Sequence, residues 1–415
     1  MDTSHRGLWA LIGSSFAIFW PGAFIFGFPG VMAGYWRDSF GVGQGAIGGV
    51  MFFVLAAVGV FMFLVGKWQE KVGIRNMITI GAMLCGLNVF VLLLANNIFW
   101  IYLWAFINGA ASCFVYIPAL TTVQRWFPQR RGLVSGIVNL MFGLSAAIMA
   151  PLFGILIQSL GYVGMVKILG PLSFVTGVIA AQFTGAPTVD SFSNRSSVSV
   201  STSGGLLSVT MSSRQAIKTL TFRVLWLVWA LQGAAGISMV TLSTSYGLSK
   251  GYTMESAVII LTAFNLANGL SRLISGYLSD RIGRKFTMSS TFIVAAFAYF
   301  LLPSAESLLI LALLAIAIGF AFGSLFAVSA PLVTDCFGIN NFGVILGLVF
   351  TAYGFLAGPL GSALSGYLLD YTHGNYALVF GYLGCFCLIS SALIWLVKPV
   401  NSIQNKTVTS NCLDS

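Results

Sequence analysis

The sequence predicts an all-α membrane protein whose twelve transmembrane helices form two pseudo-symmetric six-helix bundles. Three observations support this fold class: the scarcity of charged residues, the number of long apolar stretches, and a repeat that relates the two halves of the chain. Of the 415 residues, 58% are hydrophobic and only 7% are charged, whereas soluble proteins average about 25% charged residues. So few charged side chains cannot cover a soluble surface, which argues against a soluble enzyme, a disordered chain or a secreted disulfide scaffold.

Twelve apolar stretches are long enough to cross a bilayer, because a helix needs ~20 residues at ~1.5 Å each to span ~30 Å of hydrocarbon. Barrel strands would be ~10 residues long and alternate in polarity, and these stretches do not alternate. The first stretch is too long for a signal-peptide core, so we expect it to remain as a helix. The predicted helices α1 to α12 cover roughly 8–32, 46–66, 76–95, 98–122, 132–158, 163–185, 222–248, 255–278, 286–303, 307–334, 340–369 and 375–397.

A polar, serine-rich segment separates the sixth predicted helix from the seventh and has the composition of a flexible linker. We therefore divide the chain into an N-terminal six-helix bundle (1–185), a cytoplasmic linker (186–219), a C-terminal six-helix bundle (220–398) and a cytoplasmic tail (399–415).

The distribution of Lys and Arg predicts the topology. With the N-terminus inside, sixteen of the twenty basic residues fall in cytoplasmic segments, as the positive-inside rule requires. These sixteen are Arg6, Lys67, Lys71, Arg75, Arg125, Arg130, Arg131, Arg195, Arg214, Lys218, Arg223, Arg281, Arg284, Lys285, Lys398 and Lys406. We expect a multi-pass protein of the cell membrane with both termini in the cytoplasm. The same distribution explains the net charge of +10 without a nucleic-acid partner.

Residue types suited to metal binding or catalysis are few and scattered. No two of the six cysteines form a CxxC pair, so we predict neither a disulfide framework nor a metal site, and no cofactor. The only histidines, His5 and His373, lie at the edges of apolar stretches, whereas a membrane-embedded enzyme needs paired catalytic groups within them. A protein without enzymatic activity is expected, and a membrane-embedded sensor remains an alternative.

A repeat with an offset of 210 residues relates the two halves. The segment Gly66-x-x-x-Glu70-Lys71-x-Gly73 after α2 corresponds to Gly276-x-x-x-Asp280-Arg281-x-Gly283-Arg284-Lys285 after α8. The same offset maps Trp126-Phe127 onto Cys336-Phe337, and with one inserted residue Gly132, Gly136 and Gly143 map onto Gly343, Gly347 and Gly354. A shared register of this kind predicts two bundles with the same fold.

The copy after α8 resembles the loop signature of the major facilitator superfamily, G-x-x-x-D-R-x-G-R-[RK]. A weaker copy follows α2, and the resemblance extends over all twelve helices and the linker, which implies the major facilitator fold. An acidic residue at a helix end pairs with nearby cations and with a neighbouring helix N-terminus, so we expect this motif to latch one conformation. The predicted conformational motif comprises Gly66, Glu70, Lys71, Gly276, Asp280, Arg281, Gly283 and Arg284.

A narrower resemblance rests on two further segments. Trp126-Phe-Pro-Gln-Arg-Arg-Gly-Leu-x-x-Gly136 resembles a segment shared by monocarboxylate transporters and oxalate:formate antiporters, and Asn268-Gly-x-x-Arg272-x-x-x-Gly276 is similar to the arginine-bearing helix of that branch. The resemblance is closest to bacterial lactate-transporting homologues. It implies secondary active transport of small monocarboxylates such as lactate or pyruvate. The alternative is an organic-anion antiporter of the oxalate:formate type.

Arg272 is the strongest candidate for binding the substrate. It lies eight residues before Asp280, so ~12 Å from the helix end and close to the middle of the bilayer. An arginine at that depth costs ~3 kcal/mol or more and usually marks a substrate path. No Asp or Glu lies mid-helix to pair with it, and its planar fork suits a carboxylate. The rival interpretation is a structural partner inside the protein.

Tyr116 and Phe326 are related by the repeat and lie ~13 Å from the same side, level with Arg272. Because the resemblance places α4 and α10 beside the cavity, it implies a layer formed by these three residues. We expect Tyr116 to hold a second polar group of the substrate and Phe326 to wall off its methyl end. Core packing is the alternative role for either ring.

Other candidates follow from position or from the resemblance. Asn268 lies one turn before Arg272 and either orients the guanidinium, contacts the substrate or bonds to another helix. Phe322 matches an aromatic position of the oxalate carriers, and Ile25 and Phe142 align with apolar cavity positions of the close relatives. We expect Asn139 and Tyr353 to serve packing or gating instead.

Two departures from the oxalate carriers favour a monocarboxylate. Those carriers place a second cation on α11, where this chain has Phe350, and a glutamine on α1, where it has Phe24. Many animal relatives also carry an aspartate at the position of Asn268, so the usual proton acceptor is absent. We still expect proton symport by alternating access, with the proton carried beside the substrate, in a protein that acts as a monomer in the lipid bilayer.

Overall fold

The computed structural model describes residues 3–127, 131–185, 213–337 and 342–398, and all regular structure in these ranges is helical. Eleven stretches of the described chain are long and apolar enough to span a membrane. One of them, Leu133–Gln182, comprises two helices, because the backbone of Gly161 (φ 68°, ψ 176°) is non-helical. The predicted all-α fold with twelve transmembrane helices is therefore confirmed for this part of the chain.

The helices keep the predicted order but are longer than predicted at several ends. The first ends at Phe40 instead of 32 because the chain turns only at Gly41, whose φ is 61°. The twelve are α1 His5–Phe40, α2 Gln44–Val72, α3 Ile74–Asn88 with a 3-10 extension Val89–Leu94, α4 Ile98–Trp126, α5 131–160, α6 162–182, α7 Leu220–Ser249, α8 Met254–Ile282, α9 Arg284–Leu301, α10 Leu308–Phe337, α11 342–371 and α12 Tyr376–Leu393.

Most of the predicted linker 186–219 lies outside the described residues, which resume at 213. The tail 399–415 and the loop residues Pro128, Gln129 and Arg130 lie wholly outside them. The described end of the linker departs from a flexible segment, because Ser213–Lys218 forms a short helix before α7. Thr219 then caps α7 with its hydroxyl, which accepts from the backbone N–H of Phe222 at 3.1 Å. Such a cap satisfies one of the free N–H groups at a helix start.

The repeat in the sequence is also a repeat in the backbone. Gly73 ends α2 with φ 90° and ψ 141°, and Gly283 ends α8 with φ 93° and ψ 147°. Both conformations lie in the region that side-chain-bearing residues rarely adopt, so glycine is required at each turn. We refer to the end of the bundle that carries these two turns as the motif end, and to the other as the opposite end.

The two halves are in backbone contact at two glycine crossings that the repeat relates to each other. A Cβ on Gly143 of α5 would lie 2.7 Å from the Cα of Gly269 of α8, and one on Gly354 of α11 would lie 2.5 Å from the Cα of Gly59 of α2. Because neither crossing leaves room for a side chain, the backbones themselves form the contact between the halves.

The contacts between the halves differ at the two ends of the bundle. Towards the opposite end, Gly48 of α2 packs against the backbone of Ser362 of α11, and Gly30 of α1 packs against the backbone of Val240 of α7. Towards the motif end, Gly66 of α2 and Gly347 of α11 face open space, whereas Gly136 of α5 still packs against Leu273 of α8. The halves are therefore in contact at the opposite end, while α2 and α11 are apart at the motif end.

Asp370 adds a polar contact to the closed, opposite end. Its two carboxylate oxygens accept hydrogen bonds from the backbone N–H groups of Gln44 and Gly45, each at 2.8 Å. These residues begin α2, so a carboxylate from α11 in the second half caps a helix of the first half. The positive end of the helix dipole favours this charge.

We predict that Asp370→Ala loosens the opposite end, because two charge-assisted bonds between the halves are lost at a cost of about 1–2 kcal/mol. A cysteine placed at Ser362, which is buried beneath Gly48, should then react faster with a membrane-impermeant maleimide. The matched control is Asp38→Ala, because Asp38 is an exposed acid at the same end that pairs with the adjacent Arg37. Equal labelling of the two variants would contradict the prediction.

Candidate functional site

A cavity of about 470 Å³ lies between the two halves and is lined by α2, α4, α5, α10 and α11. It extends from Tyr116 and Phe326 towards the motif end, where Gln69 and Gln124 line it. A smaller cavity of about 30 Å³ lies beyond this level, and Met62, Tyr116, Phe326 and Phe350 line both cavities. A space of this smaller size holds about one water-sized group.

Arg272 is buried beside this level, with only 3% of its surface exposed. Its guanidinium donates from Nη1 to Oδ1 of Asn139 at 3.1 Å and from Nη2 to Oδ1 of Asn268 at 3.3 Å. Its Nε–H has no hydrogen-bond partner among the described residues. Two neutral amide oxygens therefore hold the charged group.

No carboxylate of the described residues pairs with Arg272. The ion pairs in that part of the chain join Arg37 to Asp38, and Arg284 to Asp280 and Asp335. A buried cation without an anion is costly, because the amide dipoles replace only part of the lost hydration. The site is consequently short of one negative charge.

Two aromatic rings cover the guanidinium. Its Cζ lies 4.6 Å from the ring centroid of Phe326 and 5.7 Å from that of Phe142. Contacts of this kind contribute ~0.5–2 kcal/mol each, with the larger values at desolvated sites. Phe326 thus packs on Arg272 in addition to lining the cavity.

Asn139 is a residue whose contacts the sequence did not predict. Its Oδ1 accepts from the Tyr116 hydroxyl at 2.7 Å as well as from Arg272, while its Nδ2 donates to the carbonyl oxygen of Ser135 at 2.9 Å. We expected packing or gating from it, whereas it bridges two predicted site residues. One signal was present: with one inserted residue, the repeat maps Asn139 onto Phe350, and both residues line the larger cavity.

The other predicted residues divide into two groups. Ile25 and Phe142 line the smaller cavity, together with Tyr353, whose hydroxyl has no partner among the described residues. Phe322 is fully buried, packs edge-on against the ring of Phe326 and lines neither cavity. Phe24 packs into the core against Phe153.

The structure therefore brings Arg272, Asn268, Tyr116, Phe326 and Phe142 together and leaves Phe322 behind them.

The repeat relates each polar residue of the site to an apolar one. The four pairs are Arg272 with Met62, Asn268 with Val58, Tyr116 with Phe326, and Asn139 with Phe350. All four apolar partners line a cavity. Among the polar members, Tyr116 of α4 and Asn139 of α5 line a cavity, whereas Arg272 and Asn268 of α8 line neither and are buried beside it. The one buried positive charge therefore lies next to a cavity whose lining includes the apolar side chains of Val58, Met62, Phe326 and Phe350.

The conformational motif lies away from this site, at the motif end. Arg284 forms ion pairs with Asp280 and, at 3.1 Å, with Asp335. It also donates to the Ser279 hydroxyl at 2.9 Å. These contacts join α8, α9 and α10 within the second half. The Cζ of Arg281 lies 4.6 Å from the ring centroid of Tyr277.

In the first half, the exposed Lys71 and the backbone of Gly66 are described, whereas the side chain of Glu70 lies outside the described part. The two copies of the motif are alike in their backbone turns at Gly73 and Gly283. A latch between conformations at these residues stays a prediction.

We predict that Arg284→Gln lowers the midpoint of thermal unfolding in detergent by a few degrees. The substitution removes two ion pairs that are partly exposed, so about 1 kcal/mol of stability is lost. Arg281→Gln is the matched control, because it removes the same charge from the same motif and, within the described part of the chain, loses the contact with the Tyr277 ring but no ion pair. Similar midpoints for the two variants would show that the ion pairs of Arg284 add no stability.

Comparison with known proteins gives a consistent result. A family model described as Major Facilitator Superfamily matches residues 14–261 and 257–411. The oxalate:formate antiporter of Oxalobacter formigenes is 29% identical over 264 residues, which cover 62% of this chain and 61% of the antiporter. The match thus spans less than two thirds of that protein. Monocarboxylate transporter 2 of Meriones unguiculatus is 24% identical over 418 residues, covering 95% of this chain and 84% of the transporter.

Similarity in structure extends over nearly the whole chain. A bacterial homologue of the human lysosomal transporter Spinster, solved in an inward-facing and unoccupied conformation, superposes with a TM-score of 0.70 at 13% sequence identity. The match covers 95% of this chain and 96% of the other. At this identity the likeness concerns the fold alone.

Proposed function

The chain belongs to the major facilitator superfamily, and we propose that it is a secondary active transporter of small monocarboxylates such as lactate or pyruvate. The observation that carries the proposal is Arg272, buried beside the cavity and held only by neutral groups. A carboxylate fits both requirements of this guanidinium, since it supplies the missing charge and accepts two parallel hydrogen bonds. The role is that of a transporter, with no catalytic step.

The shape of the site favours one carboxylate and a short apolar tail. A monocarboxylate would bind Arg272 through its charge and direct its tail to the apolar wall formed by Met62, Phe326 and Phe350. A dicarboxylate would bring a second charge against this wall, where no described basic residue lines the cavity. Burying that unpaired charge would cost several kcal/mol.

Alternating access requires conformations in which the cavity is open at one end and closed at the other. The conformation of this chain fits that requirement and so supports transport by this mechanism. We assign the motif end to the cytoplasm, because sixteen of the twenty basic residues then lie inside. The halves, 1–185 and 220–398, would rock about the two glycine crossings while 186–219 connects them on the cytoplasmic side. Both termini then lie in the cytoplasm, and the conformation described here is open to the inside.

Proton symport is the coupling we propose. An acidic residue beside Arg272 would suit a proton acceptor, but that position holds the neutral Asn268. The proton would therefore travel beside the substrate instead of on the protein. Exchange of organic anions is the second candidate, and the similarity to the antiporter of Oxalobacter formigenes favours it. The two differ in whether a substrate inside the vesicle is required for uptake.

We predict that the purified protein in proteoliposomes takes up labelled lactate when an inward proton gradient is imposed. Arg272→Gln should lower uptake at subsaturating lactate at least ~30-fold, because the loss of a charge-assisted pair costs about 2 kcal/mol. Arg272→Lys should retain part of the activity, since it keeps the charge but loses the planar fork.

The matched control is Lys167→Gln, which removes one positive charge from an exposed position on α6. Uptake by this variant should equal that of the wild type. Unchanged uptake by Arg272→Gln would overturn the assignment of the binding residue. Uptake that requires lactate or another anion inside the vesicles, whatever the proton gradient, would replace symport by exchange.

We also predict that ligands stabilise the protein according to their number of charges. In detergent, lactate and pyruvate should raise the unfolding temperature, because a ligand at ~100 times its Kd adds ~2.7 kcal/mol of stability. Oxalate, malonate and succinate should shift it much less. Stabilisation by oxalate that exceeds stabilisation by lactate would contradict the monocarboxylate assignment and favour the second candidate.

A further inference from the structure

The side-chain oxygen of Asn139 has an unusual set of donors. It accepts from the guanidinium of Arg272, which belongs to the second half, and from the hydroxyl of Tyr116, which belongs to the first. The amide is oriented by its own donation to the carbonyl oxygen of Ser135, which points the oxygen rather than the nitrogen at the two donors. A single oxygen atom therefore accepts hydrogen bonds from both of the donors that, in the proposed function, bind the substrate.

We propose that Asn139 is an internal surrogate for the substrate carboxylate. In the empty protein its Oδ1 accepts the hydrogen bonds of Arg272 and Tyr116, and an arriving carboxylate displaces it from both. The inference rests on the proposed function, because it assumes that Arg272 receives the anion. Asn139 is then not a residue that binds the substrate. Its side chain competes with the substrate for Arg272 and Tyr116.

The exchange favours an anion over a neutral ligand. The hydrogen bond from the neutral Tyr116 hydroxyl to a charged oxygen is roughly twice as strong as its bond to a neutral amide. The guanidinium of Arg272 in addition gains the opposite charge that an amide cannot supply. A carboxylate thus gains by replacing Asn139, whereas an alcohol or an undissociated acid would only exchange one neutral acceptor for another. The competitor therefore sharpens selection for charge at a site that already lacks a carboxylate of its own among the described residues.

The surrogate also solves a problem of the empty protein. Without it, Nη1 of Arg272 would join Nε as a second buried donor lacking a partner, and unpaired buried charge is strongly destabilising. The bond between Asn139 and Arg272 lies one turn from the crossing of Gly143 and Gly269. The contact that substrate breaks is accordingly a contact between the halves, next to a point where their backbones meet.

The inference is tested by the sign of the change in lactate affinity for two variants, measured by titration of the purified protein. Asn139→Ala removes the competitor, so the Kd for lactate should fall roughly threefold to tenfold. The unliganded variant should be less stable, and the stabilisation by lactate should be larger. Asn139→Asp supplies a fixed carboxylate of the same size, so the Kd should rise at least ~10-fold.

Asn108→Ala is the matched control, because Asn108 is a buried asparagine of the first half that accepts from the thiol of Cys85 and lines neither cavity. Its Kd for lactate should equal that of the wild type. A rise in Kd for Asn139→Ala would show that Asn139 is a direct substrate ligand and would overturn the proposal, as would an unchanged Kd for both Asn139 variants. Should Asn139→Ala fail to fold, an unchanged Kd for Asn139→Asp alone would overturn it.

Failure of the proposed function gives a different result. If wild-type protein binds none of the monocarboxylates or dicarboxylates, both the proposed function and the role of Asn139 are overturned. If the wild type binds lactate and the two variants bind it equally well, the function stands and only the surrogate role is lost.

Discussion

A single buried guanidinium sets the requirements that the centre of this protein meets. Arg272 is 3% exposed, and within the described chain it contacts amide oxygens and aromatic rings instead of a carboxylate. The charge is kept in a low-dielectric interior by dipoles and by the negative faces of two rings, which is less than full compensation. This deficit is the physical basis of the anion site that we propose, since a bound anion would supply the missing negative charge.

The repeat explains how such a site arises in a symmetric backbone. The two halves share their turns at Gly73 and Gly283 and their glycine crossings, so the same scaffold is built twice. Symmetry in the backbone with asymmetry in the side chains places polar groups on α4, α5 and α8 and their apolar counterparts, Met62 and Phe350 among them, on α2, α10 and α11. This combination of one buried charge and apolar lining supports the small monocarboxylate that we propose as the substrate.

The contacts between the halves link this site to a change of conformation. Where the backbones cross at glycine, little side-chain interlocking opposes rotation, so the halves can reorient without repacking a large core. Closure of the opposite end instead depends on short backbone contacts and on the Asp370 carboxylate at the start of α2. These bonds are local and few, which allows them to break and re-form during a transport cycle.

Composition and periodicity alone determined the all-helical membrane fold, the order of the twelve helices, the internal repeat and the depth of Arg272, because hydrophobic length and charge placement are local properties of the chain. The positions of Tyr116 and Phe326 followed from helical rise and the repeat. Only the tertiary structure decided that Asn139 bridges Tyr116 and Arg272, that Phe322 lies behind the site, and that α1 extends to Phe40. Those outcomes depend on which helix faces meet and how far apart they lie, and packing between distant segments sets both.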